Sequence, residues 1–249
     1  MNTIDPRYSI IQDRVKSIRR IIGFASSKGG VGKSVIAVMT SIILSSKGFS
    51  VGLFDTDFTN PSCHIILNVK DTKPVEDKGI VPPEIHGVKL MSITYYTGDK
   101  PLPLRGVDIT NVVLELLAIT RWGSLDFLVV DLPPGLSDEI LDVIRFIREI
   151  GMVIVTTPSK LSLTSASKLI KLLKSIGRHI VGVIVNEVSP TTINLESVKS
   201  TINSMGVELL GIVGYDPLLE SAIGDYSRLV KTKFRFDVER VVDKILKLV

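Results

Sequence analysis

The stretch IIGFASSKGGVGKSV, residues 21–35, decides how this chain folds. It opens on an apolar run, Ile21–Phe24, turns through Gly29, Gly30 and Gly32, and enters a second apolar stretch at Val35. Strand, glycine-rich turn and helix form the context of a phosphate-binding loop. The glycines allow a tight turn that points backbone N–H groups at an anion. The helix N-terminus adds a partial positive charge at the same spot. Gly29, Gly30, Val31, Gly32, Lys33, Ser34 and Val35 are therefore the candidate cradle. In it Lys33 reaches the β- and γ-phosphates and the Ser34 hydroxyl holds magnesium. The strict pattern places a glycine five residues before Gly32, where this chain has Ser27. A second lysine, Lys28, stands directly before Gly29 instead.

Outward from this loop, β-rich apolar runs recur at Val51–Phe54, Val88–Ile93, Phe127–Val130, Met152–Val155, Ile180–Val185 and Val207–Val213. Most are nearly continuous rather than alternating, which marks strands covered on both faces. Helical stretches separate them: 33–47, 109–120, 138–150, 162–176, 194–205 and 236–249. The alternation predicts an α/β, doubly wound, mostly parallel sheet with helices on both faces. The chain reads as a single domain over 1–249, with a helical N-terminal extension (1–19), a surface excursion at 69–87 and a C-terminal helix (236–249). The first helix after the loop is apolar nearly all round, so it is expected to be buried.

Two acidic strand ends follow, Asp55 and Asp57 in LFDTDF and Asp131 in LVVDLPPG. Ligands of open α/β sheets bind at the C-terminal edge of the strands, so these acids should share a crevice with the loop. Hydrolysis of bound ATP needs a positioned water and a metal. Asp57 suits the water, Asp131 the magnesium, and Asp55 the metal's outer surroundings. The Gly135 N–H is placed to sense the γ-phosphate. Asn186, ending the run GVIVN, carries an amide able to pair with adenine. Pro158 and the segment Gly214–Pro217, with Pro217 foremost, are expected along the same pocket.

Composition narrows the class. At 249 residues and 45% apolar, the chain supports a large core and is not disordered. No apolar run reaches the length of a membrane span, and the charged first 20 residues lack a signal core. A single cysteine, Cys63, excludes an internal disulfide and fits a reducing, cytoplasmic setting. The formal net charge is +4, and residues 228–249 alone carry seven basic and three acidic side chains. Attraction to nucleic acid or lipid should therefore centre on the C-terminus.

KGGVGKS with its early lysine resembles the deviant Walker A loop of the MinD, ParA and nitrogenase-iron-protein ATPases. HGVKLMSI (86–93), PLRG (103–106), WGSLDFLVVDLPPG (122–135) and SDEI (137–140) extend the match to the Mrp, or ApbC-type, family. NPS (60–62) is close to that family's GPS. The likeness covers about residues 17–230. It implies a dimeric, slowly hydrolysing ATPase linked to iron–sulfur cluster assembly or transfer. It also implies that Lys28 crosses the dimer interface to the partner's nucleotide, in an ATP-sandwich homodimer with an iron–sulfur client or carrier. One feature departs from the family. Its C-x-x-C pair falls where this chain reads NEVSPTTINLES (186–197), without cysteine. A cluster usually takes four thiolates, so cluster binding by this chain alone is not expected. Cys63 with His64 reads as packing, as do His86, His179 and Trp122.

A MinD/ParA-like positioning ATPase acting on membrane or DNA is the alternative. Val238, Val241, Val242, Ile245 and Val249 fall on one helical stripe, which either lies on anionic lipid or packs on the sheet. The second of these is the expectation. A metabolic kinase or synthetase is a third reading, without a recognisable second-substrate motif.

Overall fold

The apolar runs become the strands of a central sheet in a computed structural model that describes residues 5–98, 107–135, 138–147, 149–189 and 195–249. PLRG (103–106), Ser137 and residues 190–194 of the cysteine-free segment lie outside the described residues. The strands are β1 (Ile18–Ala25), β2 (Val51–Asp55), β3 (Val75–Glu76), β4 (Ile80–Val81), β5 (Glu84–Ile85), β6 (Val88–Ser92), β7 (Leu125–Asp131), β8 (Ile150–Thr156), β9 (Ile180–Val188) and β10 (Leu209–Gly214). The helices are α1 (Arg7–Val15), α2 (Lys33–Ser46), α3 (Cys63–Ile66), α4 (Thr94–Thr97), α5 (Val107–Ile119), α6 (Asp138–Phe146), α7 (Lys160–Ser175), α8 (Leu195–Ser204), α9 (Leu219–Ala222), α10 (Tyr226–Leu229) and α11 (Lys233–Leu248).

Among the described residues one sheet runs in the order β10-β9-β8-β1-β7-β2-β6-β5. Every neighbouring pair in it is parallel except β5 with β6. The fold is the expected doubly wound α/β architecture. Successive side chains of a strand point to opposite faces, and the two cores divide accordingly. Leu128 and Val130 of β7 join α1, α5, α6, α7 and α8 on one face. Phe127 and Val129 join α2, α3 and α11 on the other. α2 is buried at most positions, as its all-round apolar sequence requires.

Local chemistry moved some boundaries. The N-terminal helix stops at Val15, not near 19, because Ile18 already pairs with Leu125 in β1. α11 starts three residues earlier than expected, where the Thr232 hydroxyl accepts from the Arg235 N–H (3.2 Å) and caps it. Part of the 69–87 excursion forms a small antiparallel hairpin, β3 with β4. Gly52 in β2 has no side chain for a reason: a Cβ there would stand 2.8 Å from both Leu125 and the Trp122 ring. Trp122 itself is buried and meets Phe54 edge-on, so it is a packing residue.

The C-terminal stripe is packed on the sheet. Val238, Val241, Val242 and Ile245 are at most 1% exposed and α11 lies against β10 and α2. Burial already stabilises each by about 1.5–3 kcal/mol, so this stripe offers nothing to a lipid surface. Arg235, Arg240 and Lys244 on the same helix are ion-paired with Glu239, Asp237 and Glu208.

Candidate functional site

Sheet register builds the site. β2 and β7 pair so that Asp55 lies beside Asp131, and β1 pairs so that Phe24 lies on Asp131's other side. Both acids therefore close their strands at the edge where β1 runs into the glycine loop. Partners in register share a face of the sheet, and the parity of β2 and β7 turns both toward α2. Each is fully buried.

Lys33, in the first turn of α2, supplies the counter-charge. Its Nζ lies 2.5 Å from Asp131 Oδ1 and donates to Ser34 Oγ at 3.2 Å. Burial alone would lower the Lys33 ammonium, but the Asp131 charge and hydrogen bond more than offset it and the net shift is upward. Asp55 is pushed up to about 7, first by burial and then by the like charge on Asp131. Its carboxylate accepts the backbone N–H groups of Asp57 and Cys63, both at 3.2 Å.

Cys63 opens α3 and stands at this carboxylate pair. Its thiol donates to Asp131 Oδ2 over 3.6 Å. Burial, then the charges of Asp55 and Asp131, push the thiol well above its ordinary range. It is thus a fully buried thiol rather than a thiolate. The sequence reading had put Cys63 with general packing; its place in the cluster needed the register of two strands and the turn into α3.

Asp57 lines the adjoining cavity, its Oδ1 fixed by the Thr59 hydroxyl (2.9 Å) and the Asn60 N–H (3.1 Å). The cavity has a volume of 620 Å³, and Gly29, Gly30, Gly32, Lys33, Ser34 and Val35 line one wall. Asn186 and Pro217 line it too. Val31 instead turns its side chain into the core and its carbonyl to Asn186 Nδ2, which donates at 2.9 Å. This latch explains Gly32. The residue has φ 79°, and a Cβ there would meet Asn186 Nδ2 at 2.2 Å. Lys28 is exposed, beside rather than within the cavity wall, and its carbonyl accepts from Ser26 Oγ at 2.9 Å.

Two expectations need correcting. The Gly135 N–H donates to the Ser26 carbonyl at 2.8 Å, so in this conformation it is not offered to the cavity. Pro158 lines a different depression, between α7 and α8, because α7 begins two residues later and carries that turn away from the loop. Glu187, which was not foreseen, and Asp216, within the expected segment Gly214–Pro217, also line the cavity. Glu187 holds a left-handed backbone (φ 58°). Asp216 accepts from the Leu218 and Phe234 N–H groups, both at 3.0 Å, and so fastens the Pro217 turn to α11. A polar residue at the end of an apolar run was the available signal for Glu187.

Residues 17–249 match the sequence profile of the NUBPL iron-transfer P-loop NTPases, within the ParA group. An iron–sulfur cluster carrier protein of Aquifex aeolicus is 33% identical over 217 residues, covering 82% of this chain and 60% of its own length. One of Saccharolobus solfataricus is 34% identical over 226 residues, 85% of this chain and 76% of its own. This chain thus spans about three fifths of the Aquifex relative. A nucleotide-binding protein of Archaeoglobus fulgidus, solved in complex with ADP, superposes with TM-score 0.75 at 27% identity, over 89% of this chain and 92% of its own.

Proposed function

The chain belongs to the NUBPL iron-transfer P-loop NTPase family, and on that premise we propose that it is a magnesium-dependent ATPase whose nucleotide cycle switches a homodimer during iron–sulfur cluster assembly or transfer. The buried Lys33–Asp131 pair, whose Lys33 lines the phosphate-loop cavity, carries the reading. A cation is already stabilised between the loop and the two strand-end carboxylates. Asp131, Asp55 and Ser34 offer hard oxygen donors there, the chemistry magnesium selects. The metal would supply charge neutralisation at the phosphates. Lys33 would exchange Asp131 for phosphate oxygens, holding the γ-phosphate by a charge-assisted hydrogen bond. Asp57 is fixed by two donors with its carboxylate at the cavity, and it orients the attacking water. The exposed Lys28 makes no ion pair among the described residues, which favours a role toward a second copy of the chain.

The cluster is cargo held elsewhere. One cysteine per chain, fully buried and protonated, does not fit a cluster ligand set. The reading of this chain as a lipid-bound positioning ATPase loses its support, since the apolar stripe of α11 is inside the core.

Phosphate release from purified protein tests the ATPase: it should need magnesium and vanish in Lys33→Ala. Anaerobic reconstitution with iron and sulfide tests the cargo. About four irons per dimer, the content of one [4Fe–4S] cluster, would show that the chain ligates a cluster after all.

A further inference from the structure

A groove of 900 Å³ lies between α7 and α8, on the sheet face opposite α2. Lys160, Lys168, Lys171 and Lys174 line it, and no Asp or Glu does among the described residues. Lys174 donates to the carbonyls of Met205 and Gly206, both at 2.9 Å, and closes the end of α8. The ammonium groups of Lys160, Lys168 and Lys171 make no hydrogen bond or ion pair among the described residues. Lys168 and Lys171 stand three apart on one helix, where like charges cost a few tenths of a kcal/mol. The groove's threonines cannot relieve an anion either, because Thr164 and Thr201 donate to their own helix carbonyls at 2.8 Å. Beneath the lysines, Leu163, Ile170 and Val198 form an apolar floor.

We propose that this groove docks an acidic amphipathic helix of a partner protein. Its carboxylates would pair with Lys160, Lys168 and Lys171, while an apolar ridge settles on the floor, the helix-in-groove mode of recognition. Charge complementarity selects the sign of the partner. The apolar floor selects a peptide over nucleic acid, whose phosphates bring no ridge to fill it. Pro158, at one end of the groove, follows β8, the neighbour of β1, so that end alone opens toward the sheet edge that carries the phosphate loop. The surface goes beyond the ATPase reading and stands without it.

Fluorescence anisotropy of the full chain with a designed helical probe of roughly 18 residues, about five turns, tests this. The probe carries leucines on one face and glutamates flanking them. Saturable binding is expected, weakened by roughly tenfold or more in Lys168→Glu/Lys171→Glu and kept in Lys168→Arg/Lys171→Arg. Nucleotide affinity and circular dichroism should be unchanged in both variants. A scrambled probe that binds equally well, or no saturation at all, overturns the proposal. A short DNA duplex that binds more tightly and is lost in the same variant replaces it with a nucleic-acid surface.

Discussion

Replacing Lys33 with alanine removes the ammonium that faces two fully buried carboxylates, Asp55 and Asp131. In the parent protein the three groups together hold one proton fewer than neutrality of both acids requires, and Lys33 balances the remainder. Below about pH 7 Asp55 is largely protonated, while Asp131 is paired. Without Lys33 a bare carboxylate stays in the core, at about 3–5 kcal/mol for a broken buried pair. The alternative is uptake of a second proton, which costs an ordinary carboxylate about 4 kcal/mol at pH 7. The two routes agree, so the variant should lose about 4 kcal/mol. For a chain of this size that is roughly 8–16 °C in Tm. The sign of the pH dependence follows. The folded variant binds a proton that its unfolded state, with carboxylates near 3.8, releases. Its stability relative to the parent is therefore retained near pH 4 and lost as pH rises toward 7, by about 1.4 kcal/mol per unit. Scanning fluorimetry at pH 5 and pH 7 reads this directly, and Lys33→Ala/Asp131→Asn should regain most of the loss. A single variant that melts within about 2 °C of the parent at pH 7, under 1 kcal/mol for this size, would refute the reasoning. So would a deficit that grows on acidification.

Asp57→Asn should bind ATP with near-parent affinity but release phosphate far more slowly; full turnover would take Asp57 out of the mechanism. Lys28→Ala should bind nucleotide as a monomer yet lose ATP-driven dimerisation and roughly 10³–10⁵ in rate. Light scattering in an Asp57→Asn background checks this, and equal dimerisation with and without Lys28 would leave it a surface charge. Gly32→Ala must break the Asn186–Val31 bond and hold alanine in a left-handed backbone. It should lower stability by about 1–3 kcal/mol and weaken nucleotide binding in calorimetry, whereas an unchanged melt would show that the loop adapts.

Much of this molecule was legible because its signals are local. A strand, a glycine turn and an apolar helix are contiguous in residues 21–44, and the acids close visible apolar runs. The stripe of α11 was equally plain. What was hidden depends on contacts between distant segments. Cys63 reads as an ordinary apolar residue until β2 and β7 fall into register and bring Asp131 to it. Gly135 looked available because nothing near it in sequence claims its N–H; Ser26, more than a hundred residues earlier, does. Pro158 was misplaced because the end of β8 is near the loop, but the direction in which α7 departs is set by how it packs on the sheet.

Lys33 and Asn186 each hold a group of the chain itself, Asp131 and the Val31 carbonyl. Nucleotide binding at this loop, as proposed, would accordingly be a replacement reaction. The affinity measured is a difference between two sets of contacts, smaller than either. If the proposed hydrolysis occurs, the same arithmetic runs backwards, the diphosphate competing with a carboxylate that never leaves. On the proposed function the protein would thereby carry its own displacing ligand, and Asp131 would hasten product departure.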